Sequence, residues 1–255
     1  CAIECLNFII KKYYKNKVYS LPNKSDNGVD SWQKSFRKFS NKKKIKIISL
    51  KKLYNIKELI FFSIEYEKII DVRKFKSSQL FNLHFSLLPK YRGCHTNFYQ
   101  IYNGEKKSGV TLHKINQGID EGDVIDNLSF KIGPNITAYD NYLKLMNCSV
   151  KLFKKNINKI INNNYIAKKQ KLYLGSYYSR KSVNYTKISK INSIKNNIKT
   201  HNKIRSLIFP PFQLPIYKGN KIIKSIFNTN NPEGPDVNFR ELVRSGFSIC
   251  LDRCL

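Results

Sequence analysis

The sequence predicts an α/β fold in which a mostly parallel sheet carries helices on both faces, followed by a smaller C-terminal part. Short apolar runs typical of strands alternate with helical patterns up to about residue 81, an order that favours parallel strands joined by helices. Residues 216–227 alternate around Lys218-Gly219-Asn220, which predicts a β-hairpin. The length of 255 residues accommodates one large domain and a smaller region. We place the boundary near Asn164, which gives residues 1–164 and 165–255.

Individual elements follow from local patterns. Apolar residues from Ala2 to Ile10 recur at helical spacing, and the apolar run from Leu59 to Ile64 has the composition of a buried strand. Residues 18–21 and 45–48 are predicted to be short strands, and residues 32–39 a helix. A long helix is predicted from Thr137 to Ile161, with Thr137 as its N-cap and Asp140 as the capping partner three residues later.

The chain is strongly basic, with 47 Lys and Arg residues against 17 Asp and Glu and a net charge of +30. Such a balance first suggests nucleic acid as a partner, and a nucleic-acid-binding protein is one alternative. The excess is mostly Lys, spread along the chain among Asn and Ile, so we expect no nucleic-acid partner. The charge should still attract an anionic substrate such as a nucleotide diphosphate.

Two further exclusions concern location and metals. No apolar run reaches the roughly 20 residues of a membrane span, and no secretory signal is visible. We therefore expect a cytoplasmic protein without a membrane partner. The pairs Cys1/Cys5 and Cys250/Cys254 lack Cys-x-x-Cys spacing and a neighbouring His. We expect neither a disulfide framework nor a metal site.

The segment FNLHFS, residues 81–86, predicts a strand with one chemically active face. Its apolar residues alternate with Asn82, His84 and Ser86, so an amide, an imidazole and a hydroxyl share one side. An amide can donate to a developing oxyanion, and an imidazole can move a proton near neutral pH. An ordinary polar face on an edge strand is the alternative for these residues considered alone.

The residues that follow add a second strand and an acidic loop. After a basic turn at Lys90 to Gly93, residues 97–102 are predicted to be a short helix and Gly109 to His113 a strand. The next loop, NQGIDEGD, contains two glycines and three carboxylates. Asp120 lies seven positions after His113, which is far enough for the loop to return its carboxylate over the first strand.

Taken together, these segments resemble the folate-dependent formyltransferase family. The shared pattern is Asn-x-His-x-Ser-Leu-Leu-Pro, then Arg-Gly, Gly-Val-Thr-x-His and Ile-Asp-x-Gly-Asp, in that order. The resemblance implies a Rossmann-like sheet and transfer of a formyl group from 10-formyltetrahydrofolate to an amine, without a metal. It assigns Asn82, His84 and Asp120 as the catalytic trio. It leaves open whether His84 or Asp120 takes the proton of the amine.

The same resemblance suggests where the two substrates bind. Ser63, Glu65 and Tyr66 follow the predicted buried strand, and with Asp123 they are the cofactor-side residues that the family implies. Arg92, His95 and Asn97 lie in or beside the loop expected to face the acceptor. For Ser63, Glu65 and Tyr66, an ordinary surface loop is an equal alternative.

Two segments of the C-terminal region resemble those of sugar-nucleotide N-formyltransferases. Tyr178-Ser179-Arg180-Lys181 matches a Tyr-x-Arg-Lys segment, and Ile204 to Pro210 matches Ile-Arg-x-x-x-Phe-Pro. By this resemblance Arg180, Lys181 and Arg205 would bind a diphosphate, and Phe209 or Phe212 would pack on a base. The alternative is structural, an Arg and a Phe-Pro corner that pack two domains together.

The acceptor expected from this resemblance is a nucleotide-linked amino sugar, and a homodimer is allowed. Arg92-Gly93 is followed by Cys-His-Thr, whereas methionyl-tRNA formyltransferases usually have Ala-Ala-Pro there. dTDP-4-amino-4,6-dideoxyglucose is the first expectation and a 3-amino isomer the second. Methionyl-tRNA formyltransferase is one alternative. The other is an inactive, truncated protein, because the family normally opens with a strand and a Gly-containing turn that are missing here.

Overall fold

The computed structural model of the protein describes residues 1–194, 197–228 and 236–238. Its helices are α1 (Ala2–Lys12), α2 (Phe36–Lys42), α3 (Leu50–Leu53), α4 (Thr96–Tyr102), α5 (Ala138–Ile161), α6 (Tyr185–Ile188) and α7 (Ile198–Leu207). Its strands are β1 (Tyr19–Ser20), β2 (Lys46–Ile47), β3 (Phe61–Ser63), β4 (Leu80–His84), β5 (Arg92–Gly93), β6 (Lys107–Lys114), β7 (Val124–Lys131), β8 (Tyr177–Tyr178), β9 (Ile216–Tyr217), β10 (Asn220–Lys221), β11 (Ile226–Asn228) and β12 (Asp236–Asn238).

The chain divides into two units, each assembled from three segments. Unit 1 contains Cys1–Cys94, Gly109–Phe130 and Lys144–Tyr178. Unit 2 contains His95–Ser108, Lys131–Leu143 and the described residues from Ser179 onward. The predicted division at residue 164 does not match this grouping, because it treated each domain as one continuous stretch of chain. In the structure α4 packs against α7, about a hundred residues further on.

The sheet of unit 1 is mixed and has the strand order β3-β4-β6-β7. β3 and β4 are parallel, whereas β6 runs antiparallel to β4 and places His113 opposite Asn82. A separate pair, β1 and β2, is also parallel. The predicted α/β fold is thus confirmed. Parallel pairs also form outside the segment in which strand and helix patterns alternate, since β5 and β8 are parallel.

Alternation along β4 separates the core from the chemistry. Phe81 and Leu83 lie in one apolar cluster with residues of β6 and of the long helix α5, among them Leu145. Burying each such side chain contributes roughly 2 kcal/mol. Asn82 and His84 therefore point to the other face of the strand, as period 2 requires.

The start of α5 agrees with its predicted cap. The Thr137 hydroxyl accepts a hydrogen bond from the backbone N–H of Asp140 at 3.1 Å, and the Asp140 carboxylate accepts from the backbone N–H of Thr137 at 3.0 Å. Such a reciprocal cap satisfies two N–H groups that the first turn of a helix leaves without partners.

Unit 2 is built around α4 and α7. Phe98 of α4 packs with Ile204 and Leu207 of α7. β9 and β10 form the predicted hairpin, and its two-residue turn has positive φ at both Lys218 (47°) and Gly219 (81°), as a type I′ turn requires. The hairpin is shorter than predicted, because β11 pairs with β12. Within the described parts of both units, no helix is long and apolar enough to cross a membrane.

Candidate active site

The polar face of β4 carries the first two members of the predicted trio, and the loop after β6 adds the third. The Asn82 amide nitrogen lies 3.1 Å from one carboxylate oxygen of Asp120. The other carboxylate oxygen of Asp120 lies 3.4 Å from Nδ1 of His84. The structure therefore brings Asn82, His84 and Asp120 together in unit 1.

His113 is a fourth member of this cluster. Its Nδ1 lies 2.7 Å from the backbone oxygen of Lys114, and its Nε2 lies 3.2 Å from the amide nitrogen of Asn82. A carbonyl oxygen can only accept, so the proton of the neutral ring sits on Nδ1. Nε2 then accepts from Asn82, which fixes the orientation of the Asn82 amide.

The same reasoning assigns the tautomer of His84. Its Nε2 lies 2.7 Å from the backbone oxygen of Tyr91 and therefore carries the proton of the neutral ring. Nδ1 is left as a base whose lone pair faces Asp120. A proton that arrives at Nδ1 would lie between the imidazole and the carboxylate, where both groups stabilise it.

Burial and charge set the protonation states of this pair. Burial lowers the pKa of His84, and the nearby carboxylate of Asp120 opposes that effect. Burial also works against the ionised form of Asp120, but His84, His113 and the backbone N–H of Gly93 outweigh it and hold the pKa of Asp120 well below its usual range. Near neutral pH the pair is a carboxylate beside a neutral imidazole.

Gly93 fixes the Asp120 carboxylate from the side of β5. Its backbone N–H donates to Asp120 at 2.8 Å. Gly93 has φ +87°, and a Cβ at this position would lie 2.2 Å from the backbone oxygen of Tyr178. Only glycine fits this close contact and this backbone conformation.

A cavity of about 590 Å³ opens in unit 1 beside Leu80, two residues before Asn82 on the same face of β4. This volume lies within the range of small-molecule sites. Its lining mixes apolar, hydroxyl, amide and charged groups: Val72, Phe75, Lys76, Ser77, Ser78, Leu80, Lys114, Ile115, Asn116, Gln117, Gly122 and Asp123.

The chain matches the family model described as formyl transferase over residues 27–157, just over half of its length. The chain belongs to the formyl transferase family. Members of this family are enzymes, and the prediction of an N-formyltransferase is confirmed. The predicted order of motifs around Asn82, His84 and Asp120 lies inside the matched region.

Two curated relatives of this formyl transferase have different full lengths. This chain is 34% identical over 229 residues to the bifunctional polymyxin resistance protein ArnA of Wigglesworthia glossinidia brevipalpis. The aligned region covers 83% of this chain and 34% of that protein. It is 30% identical over 234 residues to methionyl-tRNA formyltransferase of Clostridium tetani, which covers 86% of this chain and 74% of that protein. The chain thus spans about a third of ArnA.

Two solved structures are more similar. WlaRD, a sugar 3N-formyl transferase solved in the presence of dTDP and 5-N-formyl-THF, is 47% identical, with a TM-score of 0.86 over 90% of this chain and 83% of that one. The N-formyltransferase of Helicobacter canadensis in complex with folinic acid and dTDP-3-aminofucose is 44% identical, with a TM-score of 0.86 over 90% of this chain and 85% of that one.

The four predicted cofactor-side residues of this formyl transferase differ in whether they line the cavity. Asp123 lines it, and Tyr66 packs against the apolar cluster that contains Leu80. Ser63 ends β3 directly opposite Asn82. Glu65 has a left-handed backbone, with φ 56°, and its carbonyl oxygen accepts from the Asn23 side chain at 3.0 Å.

Arg92 forms an ion pair within unit 1 rather than facing solvent. Its guanidinium pairs with Glu121, the residue after Asp120, and its side chain is only 14% exposed. Nε of Arg92 is buried and, among the described residues, has no hydrogen-bond partner. Arg92 therefore holds the acidic loop.

The remaining predicted acceptor residues lie in unit 2. His95 precedes α4, and its two ring nitrogens lie 2.8 Å from the backbone oxygen of Arg180 and 3.1 Å from the Tyr185 hydroxyl. Asn97 lies in the first turn of α4. Arg180 and Lys181 are exposed in a short 3-10 helix.

Two predicted ligands of the sugar nucleotide are instead buried within unit 2. Arg205 is 3% exposed, and its guanidinium donates to the Asn202 side chain and to the carbonyl oxygen of Ile136, both at 2.8 Å. Phe209 is 4% exposed and packs on Tyr139 at 5.2 Å between ring centroids. The sequence left two roles open for these residues, recognition of a ligand and structural packing, and the contacts in the structure are those of the structural alternative.

Several contributors to the cluster were not predicted, among them His113, the backbone N–H of Gly93, the carbonyl of Tyr91 and the side chain of Gln170. His113 belongs to the family pattern, and antiparallel pairing of the two strands would have placed it opposite Asn82. Tyr91 acts through its backbone, and Gln170 contacts residues about fifty positions away, so neither has a local signal. In the part of the chain that the structure describes, no group of His, Cys, Asp and Glu side chains could hold a metal ion.

Proposed function

We propose that this protein transfers the formyl group of 10-formyltetrahydrofolate to the amino group of a dTDP-linked amino-dideoxy sugar. We rank a 3-amino sugar first and dTDP-4-amino-4,6-dideoxyglucose second. The observation that carries the proposal is the convergence of Asn82, His84 and Asp120 beside a cavity of suitable size, in a member of the formyl transferase family.

The reaction needs one nucleophilic attack and one proton transfer. The lone pair of the sugar amine attacks the formyl carbon, an N–C bond forms, and the formyl oxygen becomes negative. The proton lost by the amine passes to the pair of His84 and Asp120. The bond from the formyl carbon to N10 of the folate then breaks as the carbonyl re-forms. N10 takes up the proton, which leaves a formamide and tetrahydrofolate.

Asn82 is the proposed donor to the negative oxygen. One of its N–H groups is held by His113, and the other points towards Asp120 in this structure. An oxyanion placed beside that carboxylate oxygen would receive the second N–H. Loss of one such donor typically costs about 3 kcal/mol, or more than a hundredfold in rate. The held orientation of the amide keeps this donor in place before the charge develops.

The cavity beside Leu80 is the proposed site of the pterin ring. It lies at the start of β4, on the face that carries Asn82, and its lining includes Gly122 and Asp123 of the loop that carries Asp120. The side-chain and backbone oxygens and nitrogens of Asn116, Gln117 and Asp123 supply the polar groups that a pterin requires. The folate chemistry comes from the co-substrate, and these residues would bind and orient it.

The choice of acceptor rests on the two solved structures above 40% identity. One is a sugar 3N-formyl transferase, and the other was solved in complex with dTDP-3-aminofucose. This similarity reverses the order of the sequence-based expectation and puts the 3-amino sugar first. Exposed Arg180 and Lys181 remain the proposed diphosphate ligands.

Methionyl-tRNA formyltransferase is the second proposal, because the curated relative from Clostridium tetani aligns over 74% of its length. A panel of acceptors separates the two. We expect formylation of a dTDP-3-amino sugar with a kcat/KM at least a hundredfold above that for charged methionyl-tRNA. A preference for the tRNA would overturn the sugar proposal, and transfer to neither acceptor would support the inactive alternative.

A further inference from the structure

Gln170 holds the loop that carries Asp120. Its side-chain nitrogen donates to the backbone oxygen of Asp120 at 2.9 Å and to that of Gly122 at 2.7 Å. Both acceptors are carbonyls, so the NH2 end of the amide must face the loop. The amide oxygen is buried and has no partner among the described residues, so these two bonds alone fix the orientation of the amide.

The position of Gln170 is set by a backbone bridge. Lys168 and Val124 exchange two hydrogen bonds, each 2.8 Å long, at the start of β7. This bridge joins the chain after α5 to the far end of the acidic loop. Gln170 follows Lys168 by two residues, so in an extended backbone the two side chains lie on the same side of the chain. The side chain of Gln170 reaches the loop between Asp120 and Gly122.

Asp120 has a conformation that needs such support. Its φ is +56°, in the left-handed region that residues other than glycine rarely adopt. This conformation directs the carboxylate towards His84, His113 and the backbone N–H of Gly93. Uncommon backbone conformations persist only where the surroundings hold them, and the two bonds from Gln170 are made directly to the loop backbone.

We propose that Gln170 is a positioning residue for formyl transfer, which clasps the carbonyls of Asp120 and Gly122 and so holds the Asp120 carboxylate against His84. The inference rests on the proposed function, in which His84 and Asp120 take the proton of the amine. Gln170 does not touch the reacting atoms. Its loss should therefore lower kcat about tenfold, with less than a twofold change in the KM of the sugar nucleotide.

The test uses two variants and one matched control. Gln170→Met and Gln170→Leu remove both N–H donors to the loop without adding a charge. Gln79→Met removes a side chain that also makes two hydrogen bonds, with Asn163 and Tyr165, away from the Asp120 loop. Kinetics are compared with an NMR titration of His84, which is one of 4 histidines in the chain.

Charge on Asp120 raises the pKa of His84, so a displaced carboxylate should lower it. We expect a lower His84 pKa and a lower kcat in both Gln170 variants, and neither change in Gln79→Met. An unchanged His84 titration in a folded Gln170 variant would overturn the proposal. If both Gln170 variants fail to fold while Gln79→Met folds, Gln170 serves folding instead, which also overturns it. Because the titration needs no substrate, it tests the clasp even if the wild type transfers no formyl group.

Discussion

Asn82 and His113 face each other across β4 and β6, and the amide nitrogen of Asn82 lies 3.2 Å from Nε2 of His113. Since Nδ1 of His113 donates to the backbone of Lys114, the imidazole acts on Asn82 as a neutral acceptor. It therefore determines which way the amide points. A histidine outside the predicted trio thus sets the geometry of the proposed oxyanion donor.

His113→Leu should lower kcat about tenfold, because the partly buried Asn82 amide loses the partner that orients it. His201→Leu is the matched control. His201 is also fully buried, but its ring nitrogens contact Ser225 and the backbone of Pro134 in unit 2. Steady-state kinetics and thermal unfolding of both variants check this. A similar loss of kcat in both would show that His113 matters only for stability.

The pH dependence of turnover follows from the environment of His84. Neutral His84 is the form that can accept a proton, and burial lowers its pKa below the ordinary value of 6.5. We expect kcat/KM to be constant at pH values where His84 is neutral. It should fall at lower pH, as His84 becomes protonated.

Asp120→Asn separates this titration from that of the substrate amine. Removing the carboxylate charge takes away the effect that raises the pKa of His84, so the acid limb of the profile should move to lower pH. The maximal rate should fall about a hundredfold or more. An acid limb at an unchanged pH would assign it to the amine, whose own pKa the variant does not alter.

Gly93→Ala should destabilise the protein by several kcal/mol and disrupt the contact with Asp120, since the new Cβ would lie 2.2 Å from the backbone oxygen of Tyr178. Gly219→Ala is the control, because Gly219 also has positive φ but has nothing within 4 Å of its Cβ position. The control should cost only about 1 kcal/mol of backbone strain. Denaturant unfolding of the two variants measures the difference, and equal losses would exclude the steric explanation.

Local patterns predicted the elements that depend on neighbouring residues. The period of two in FNLHFS placed Asn82 and His84 on one face of β4, and the Thr137-Asp140 pair marked the start of α5, because both effects act over a few residues. β7 was not predicted. It lies at the edge of the sheet, and its half-exposed residues do not form an apolar run.

Features that depend on distant contacts could not be derived in this way. Asp120 was assigned to the trio only through the family pattern, since its approach to β4 depends on Gly93, Gln170 and the bridge at Val124. Arg205 differs from Asp120, because its sequence pattern fits both a substrate-binding role and a structural one. Its sequence context is the same whether the guanidinium faces a diphosphate or the carbonyl of Ile136, and only the tertiary structure distinguishes the two.

Arg205 and Arg180 should therefore respond differently to the same substitution. Arg205→Met removes buried bonds to Asn202 and Ile136 and should lower the free energy of unfolding by about 2–4 kcal/mol. Burial lowers the pKa of Arg205 to about 10, so it is still charged at neutral pH and its loss leaves those carbonyls without a charged donor. The KM of the folded fraction for the sugar nucleotide should not change.

Arg180→Met should do the reverse, because Arg180 is exposed and is a proposed diphosphate ligand. We expect stability within about 0.5 kcal/mol of the wild type and a tenfold or larger increase in the KM for the sugar nucleotide. Thermal unfolding and acceptor titrations on both variants give the answer. A raised KM in Arg205→Met with unchanged stability would support the diphosphate-binding role of Arg205. It would contradict the role of Arg205 in stabilising unit 2.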